Sequence, residues 1–231
     1  MKQITDHLYQ ISMGGVNAFI IDDKGELTLV DTGFKGSTGK IFAAIMKGGK
    51  DPQNIKRIIL THSHPDHSGS AAEISGQLKV PVIMHGIDAE LVEQGIAGRG
   101  KILSPGILNY ILYALFIKNG KNETPAVKIS ERLKDGDVLP IAGGIKVLHT
   151  PGHSLGHIVL LLQQDNVLIC GDICSNMMGL DYSTVYEDRA LGVKSVLKVA
   201  ALGFDKAVFG HGNALVGGAS EKMRKHFERL S

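Results

Sequence analysis

One short pattern occurs twice in this chain and limits what it can fold into. In the first half an apolar run, Leu27 to Val30, ends in Asp31; a helical stretch follows, and a second run from Arg57 to Leu60 leads into His62. In the second half Val167 to Cys170 leads to Asp172; a helical stretch follows, and Lys206 to Phe209 leads into His211. The repetition describes two similar layers whose polar strand ends meet at one cleft. Two sheets packed face to face, with helices over both outer faces, bury both sets of apolar strands, which places the chain in the α/β (α+β) class. Periodicity predicts strands near 7–13, 17–22, 27–31, 56–61, 80–85, 145–149, 157–163, 166–170 and 206–209. It predicts helices near 38–47, 68–77, 87–95, 105–118, 188–202 and 218–229.

Directly after Ile58-Ile59-Leu60 comes His62-Ser63-His64-Pro65-Asp66-His67. Neutral imidazole and carboxylate are ligands of zinc, iron and similar ions. In an extended segment His62 and His64, two residues apart, project to the same side. Pro65 restricts the backbone and leads into a turn where Asp66 and His67 face elsewhere. Two clusters of ligands for two ions is the reading favoured over a histidine-rich polar loop. His153, in Thr150-Pro151-Gly152-His153, Asp172 and His211 each follow a strand-like run and can complete such a site.

With H-x-H-x-D-H at 62–67, Pro-Gly-His at 151–153, Gly-Asp at 171–172 and Gly-His at 210–211, the chain resembles the metallo-β-lactamase superfamily in motif order and spacing. The resemblance runs from about residue 7 to 226. It implies an αββα sandwich of two mixed sheets, here a single domain over 1–231 with an apolar helical insertion or lid at about 98–134. It further implies that His62, His64 and His153 hold one metal, that Asp66, His67 and His211 hold a second, and that Asp172 bridges both. The cofactors implied are two divalent ions, zinc foremost, with iron or manganese as alternatives. Two ions about 3.5–4 Å apart lower the pKa of a shared water and stabilise the oxyanion formed when it attacks a carbonyl or phosphoryl group. Asp66 is the implied catalytic residue, ligating and orienting that hydroxide. Asp31 matches the family's supporting acid, which would fix a ligand histidine's tautomer; it also reads as a plain turn former at a strand end.

The ligand pattern is similar to that of glyoxalase II and the acyl-homoserine lactonases, so the expected activity is hydrolysis of a small thioester, lactone or ester. Glyoxalase II carries a C-terminal helical part with basic residues for glutathione, whereas about 20 residues follow His211 here. Lactonases place a tyrosine soon after the bridging aspartate, whereas the first one here is Tyr182. The alternative class is a persulfide dioxygenase-like oxidoreductase holding one iron through His62, His153 and Asp172. A β-lactamase and a nuclease stand behind these two.

Composition sets the remaining bounds. Lys and Arg number 25 against 23 Asp and Glu, and the net charge of +2 gives no general reason to bind nucleic acid. The opening Met1-Lys2-Gln3-Ile4-Thr5-Asp6 lacks the apolar core of a secretory signal, and no run reaches the roughly 20 apolar residues that span a bilayer; the expectation is a soluble, cytoplasmic chain. The two cysteines, Cys170 and Cys174, make no disulfide framework and read as packing residues. His7 and His226 read as solvated, His85 and His149 as strand residues, and His157 as a supporting residue rather than a ligand. Neither Met13-Gly14-Gly15 nor Gly217-Gly218 has the lysine and context of a phosphate loop. Nearly every residue from Ile107 to Ile117 is apolar, so a helix there must be covered. The readings are core packing, a lid walling a pocket for an apolar or acyl small-molecule substrate, or a homodimer contact through 105–118. Tyr182 and Tyr186 can reach a cleft as donors or serve packing alone.

Overall fold

The computed structural model describes residues 1–230 and contains two mixed sheets packed face to face. The first orders its strands Lys2–Gln3, Leu8–Ser12, Asn17–Asp23, Glu26–Val30, Ile55–Ile59, Val82–His85 and Glu131–Leu133. The second runs Leu215–Val216, Lys206–Val208, Val167–Ile169, Ile158–Leu162, Ile145–His149 and Val138–Leu139.

The repeated sequence pattern becomes the same unit in each sheet. Glu26–Val30 crosses through the helix Thr38–Lys47 to pair in parallel with Ile55–Ile59, with Val30 opposite Ile59. Val167–Ile169 crosses through the helix Arg189–Ala200 to pair in parallel with Lys206–Val208, with Ile169 opposite Val208. In a parallel pair both strands end on the same edge, so Asp31 arrives beside His62 and Asp172 beside His211. Loops at the carboxyl ends of parallel strands are where such folds gather functional side chains.

Alternation along the strands sorts the apolar residues into three layers. Phe19, Ile21, Val30 and Ile59 meet Val147, Leu160, Ile169 and Val208 between the sheets. Ile20, Leu29 and Ile58 face the other way, against Ile41, Ile45 and Ile74 of the covering helices. Val159, Leu168 and Ala207 pack under Val196, Val199, Met223 and Phe227 on the opposite face. Thr38, Ile41 and Ile45 are the buried stripe of their helix, at the spacing an amphipathic helix requires.

Two expectations change. The helix expected over 68–77 divides into the single turn Pro65–Ser68 and the helix Ala71–Leu78, because the histidine-rich loop itself needs Pro65 at a helix start. The segment expected as one helix over 105–118 is an α-helix at Ile107–Leu112 that widens into a π-turn over Tyr113–Ile117. It is no core helix: Ile107 is 76% exposed, Leu115 69% and Phe116 73%. Its stem is held by the bridge Ile96 to Glu123 and by the ribbon Ile102–Leu103 with Val185–Tyr186. No helix among the described residues is long and apolar enough to cross a membrane.

Candidate metal centre

All seven residues singled out as ligands converge. Donor atoms of His62, His64 and His153 lie within 4.8 Å of one another, as do those of His62, His67 and Asp172, and those of Asp66, His67 and His211. Asp172 stands among them, with Oδ1 3.4 Å from His67 Nε2 and Oδ2 3.1 Å from His211 Nε2 and 3.6 Å from His153 Nε2. Asp66 Oδ2 is 3.2 Å from His211 Nε2.

The outer nitrogens explain why the inner ones are free to bind. His67 Nδ1 donates to Asp31 Oδ2 at 2.8 Å, His153 Nδ1 to the Val185 carbonyl at 2.8 Å, and His211 Nδ1 to the Gly15 carbonyl at 2.6 Å. His62 Nδ1 donates to the Thr61 hydroxyl at 2.9 Å, and that hydroxyl donates onward to Asp31 Oδ2 at 2.8 Å. Each outer bond places the proton on Nδ1 and leaves the Nε2 lone pair pointing inward. Asp31 therefore steadies two of the histidines. It is fully buried, holds a left-handed backbone at φ +60°, and also accepts the Thr61 N–H at 2.8 Å.

The donor set fits divalent metal. His62 Nε2, His67 Nε2 and Asp172 Oδ1 are buried without a hydrogen-bond partner, a costly arrangement that a cation relieves. Burial holds His62 well below the ordinary histidine pKa, His64 at about 4 and His153 at about 3, so all three are neutral imidazoles at pH 7. Burial disfavours charge on His67 and His211 as well, yet Asp172 and Asp66 around them raise both well above the usual range. Asp66 and Asp172 are held ionised against burial by His67 and His211. A cation among those carboxylates replaces the protons they would otherwise attract.

Residues around the ligands lock the loops together, and Asp88 is one among them that its sequence context did not single out. Asp88, fully buried, accepts from the Ser63 N–H at 3.1 Å, the Ser154 hydroxyl at 2.6 Å and the Gly156 N–H at 2.9 Å, so one carboxylate ties the His62–His67 loop to the His153 loop. Arg99 lies 3.3 Å from Asp88 and 3.5 Å from Glu187. Asp88 sits in the first turn of its helix, where an acid is ordinary, and only the fold reveals its reach. His157 accepts the Asp172 N–H at 3.0 Å and positions the aspartate, as its place near Gly-His suggested. Gly210 admits no side chain, since a Cβ there would lie 2.1 Å from Asp172 Oδ1 and 2.6 Å from His67 Cε1.

Other candidates fall elsewhere. The Tyr182 hydroxyl donates to the Leu230 carbonyl and that of Tyr186 to the Ile173 carbonyl, so both serve packing. Cys170 and Cys174 are fully buried. His85 and His149 stack on each other with ring centroids 4.1 Å apart, outside the cluster. His7 is not simply solvated: its Nδ1 meets Asp165 at 2.8 Å because the N-terminal strand packs near the loop after Leu162. Likewise His226 turns its Nε2 into the protein.

The cluster floors a cleft of about 430 Å³. Phe34, Leu112, Phe116, Ile117, Met177 and Val185 supply its apolar wall, and Lys101 and Lys121 are on its rim. The helical segment is bonded directly to the histidine loop: the Ser63 hydroxyl donates to the Ala97 carbonyl at 3.0 Å, and Ser68 and Thr124 share a hydroxyl bond of 2.7 Å.

Comparison with known proteins agrees with this geometry. The family model described as the metallo-beta-lactamase superfamily matches residues 12–211. The Bacillus subtilis protein named "Probable metallo-hydrolase YybB" is 26% identical over 181 residues, covering 75% of this chain and 71% of its own. An uncharacterized protein of Mycobacterium tuberculosis strain H37Rv is 27% identical over 225 residues, covering 93% and 94%. Among solved structures, a metallo-β-lactamase family protein from Thermus thermophilus superposes with a TM-score of 0.70 at 25% identity, over 98% of this chain and 81% of that one.

Proposed function

The chain belongs to the metallo-β-lactamase superfamily, and we propose that within it the protein is a dinuclear metal-dependent hydrolase acting on a small thioester, lactone or ester with an apolar part. The observation that carries the proposal is the convergence of seven imidazole and carboxylate donors on the floor of a largely apolar cleft. His62, His64 and His153 would hold one ion, Asp66, His67 and His211 the other, and Asp172 would bridge them. Bound divalent ions, zinc foremost, supply Lewis acidity for the carbonyl and a water of lowered pKa.

The chain's own residues do the rest. Asp66, whose carboxylate lines the cleft beside His211, accepts a hydrogen bond from the attacking water and orients it. Asp31 and Thr61 keep His67 and His62 in the tautomers that face inward. Phe34, Leu112, Phe116 and Ile117 exclude bulk water and cover the substrate's apolar part, the lid role of the 98–134 insertion.

A panel of acyl thioesters, lactones and aryl esters of rising chain length, with a β-lactam as control, tests the reading. Expected is turnover that increases with acyl length. Turnover confined to the β-lactam, or none with any carbonyl substrate, overturns it. One observation favours the second reading, a single-iron persulfide dioxygenase: the side chains of His211 and Asp66 are 23% and 20% exposed, whereas His153 and Asp172 are 3% and 6%. Oxygen consumption on glutathione persulfide distinguishes it.

A further inference from the structure

The cleft mouth carries an apolar surface that this fold leaves uncovered. Of sixteen large apolar residues exposed among the described residues, eight gather there. Phe34, Phe116 and Met177 line the cleft, Met178 adjoins Leu108 and Leu112, and Ile107, Tyr110, Ile111 and Leu115 form the outward side of the helical segment. The stripe repeats at helical spacing, as 107, 111 and 115, while Leu112 and Ile117 turn inward to the cleft. Leaving such a patch in water is unfavourable, and patches of this kind mark interaction surfaces.

Charge around the patch selects the partner. Residues 94–122 contain Arg99, Lys101, Lys118 and Lys121 and no acidic residue. Arg99 is engaged by Asp88 and Glu187, whereas Lys101, Lys118 and Lys121 have no ion partner among the described residues. Two copies of this chain meeting through the patch would set these lysines against each other. Asp181 is the acidic residue beside Leu108, Leu112 and Met178, and an apolar helical face in a segment whose only charges are basic, carrying Tyr110 and Phe116, has instead the composition of an element that lies in the plane of a lipid surface.

We propose that the segment from Lys101 to Lys121 docks on an anionic lipid surface, seating Ile107, Ile111 and Leu115 at the headgroup boundary and opening the cleft toward the bilayer. The docking does not depend on which reaction the centre performs. Cosedimentation of the metal-loaded full chain with sucrose-filled vesicles tests it, using phosphatidylcholine alone and phosphatidylcholine with one quarter phosphatidylglycerol. Expected is binding to the anionic vesicles that fades in high salt, with little binding to the neutral ones. Lys118→Gln and Lys121→Gln should each weaken it about fivefold, and Ile111→Ser with Leu115→Ser should abolish it at unchanged metal content. Native protein that stays in the supernatant with both vesicle types overturns the proposal. So does a native dimer in analytical ultracentrifugation that the Ile111 and Leu115 substitutions split, because a second copy then covers the face.

Discussion

Asp31→Asn isolates what the buried carboxylate contributes to the metal centre. The side chain is fully buried and accepts the Thr61 N–H and the His67 Nδ1–H, each at 2.8 Å, along with the Thr61 hydroxyl. Asparagine tolerates the left-handed backbone at φ +60°, so the fold itself is little strained. A carboxamide, however, has one acceptor oxygen and one donor nitrogen where the carboxylate has two acceptors. Turned with its oxygen to Thr61, it presents N–H to His67 Nδ1, and the imidazole escapes the clash only by moving its proton to Nε2, the atom that faces the other candidate ligands. The lost charge-assisted bond is worth about 1.5–3 kcal/mol. Losing an outer partner of a ligand costs about 10- to 100-fold in metal affinity, or about 1.4–2.7 kcal/mol, so the two routes to the magnitude agree. Zinc titration against a chromophoric chelator should show the ion contacting His67 weakened by that factor, with a smaller effect transmitted to His62 through Thr61. If a folded variant keeps native zinc affinity, Asp31 does not set the tautomer of His67.

Gly210→Ala places a methyl against Asp172 Oδ1 and His67. It should release about one ion per chain and slow hydrolysis on the order of 100-fold, as read by elemental analysis and initial rates. Asp88→Asn keeps an acceptor either for Ser63 and Ser154 or for Gly156 and turns an amide N–H toward the other. The expected loss is about 2–3 kcal/mol, seen as a melting temperature lower by about 5–10 °C; a shift under one degree contradicts the tie between the two loops. Asp165→Asn tests pH linkage. Burial opposes ionisation of Asp165, but bonds from Thr5 and His7 hold its pKa below the ordinary value. Its stabilisation is therefore present above about pH 4, the unfolded value, and fades as pH falls through the folded one. The gap in melting temperature between native and variant should be open at pH 7 and narrow below pH 4; a gap that widens on acidification contradicts it.

The candidate donors were legible because each stands in a short local pattern. His62 to His67 lie in one loop, and Asp172 and His211 follow apolar runs whose parallel pairing puts strand ends together. Asp31 was legible for the same reason, though its hold on both His67 and, through Thr61, His62 needed the fold. What the sequence hides depends on distances it does not encode. Asp88 looks like any helix-start acid until residues 63, 154 and 156 are brought to it. Lys2–Gln3, Ile102–Leu103 and Leu215–Val216 are too short to show a period and form strands only because a neighbour pairs with them. The run from Ile107 to Ile117 has the composition of a buried helix, and its pattern alone asks for cover on every side. In the fold it is a rim element, because the stem at residues 95–98 and 122–124 lifts it clear of both sheets.

Metal content of tag-free protein decides between a centre of two ions and a centre of one. Elemental analysis of the native chain should find close to two divalent ions per chain, predominantly zinc, and His211→Ala should retain about one, because His62, His64 and His153 remain to hold it. A single tightly bound iron in the native chain, unchanged in His211→Ala, would contradict the dinuclear assignment.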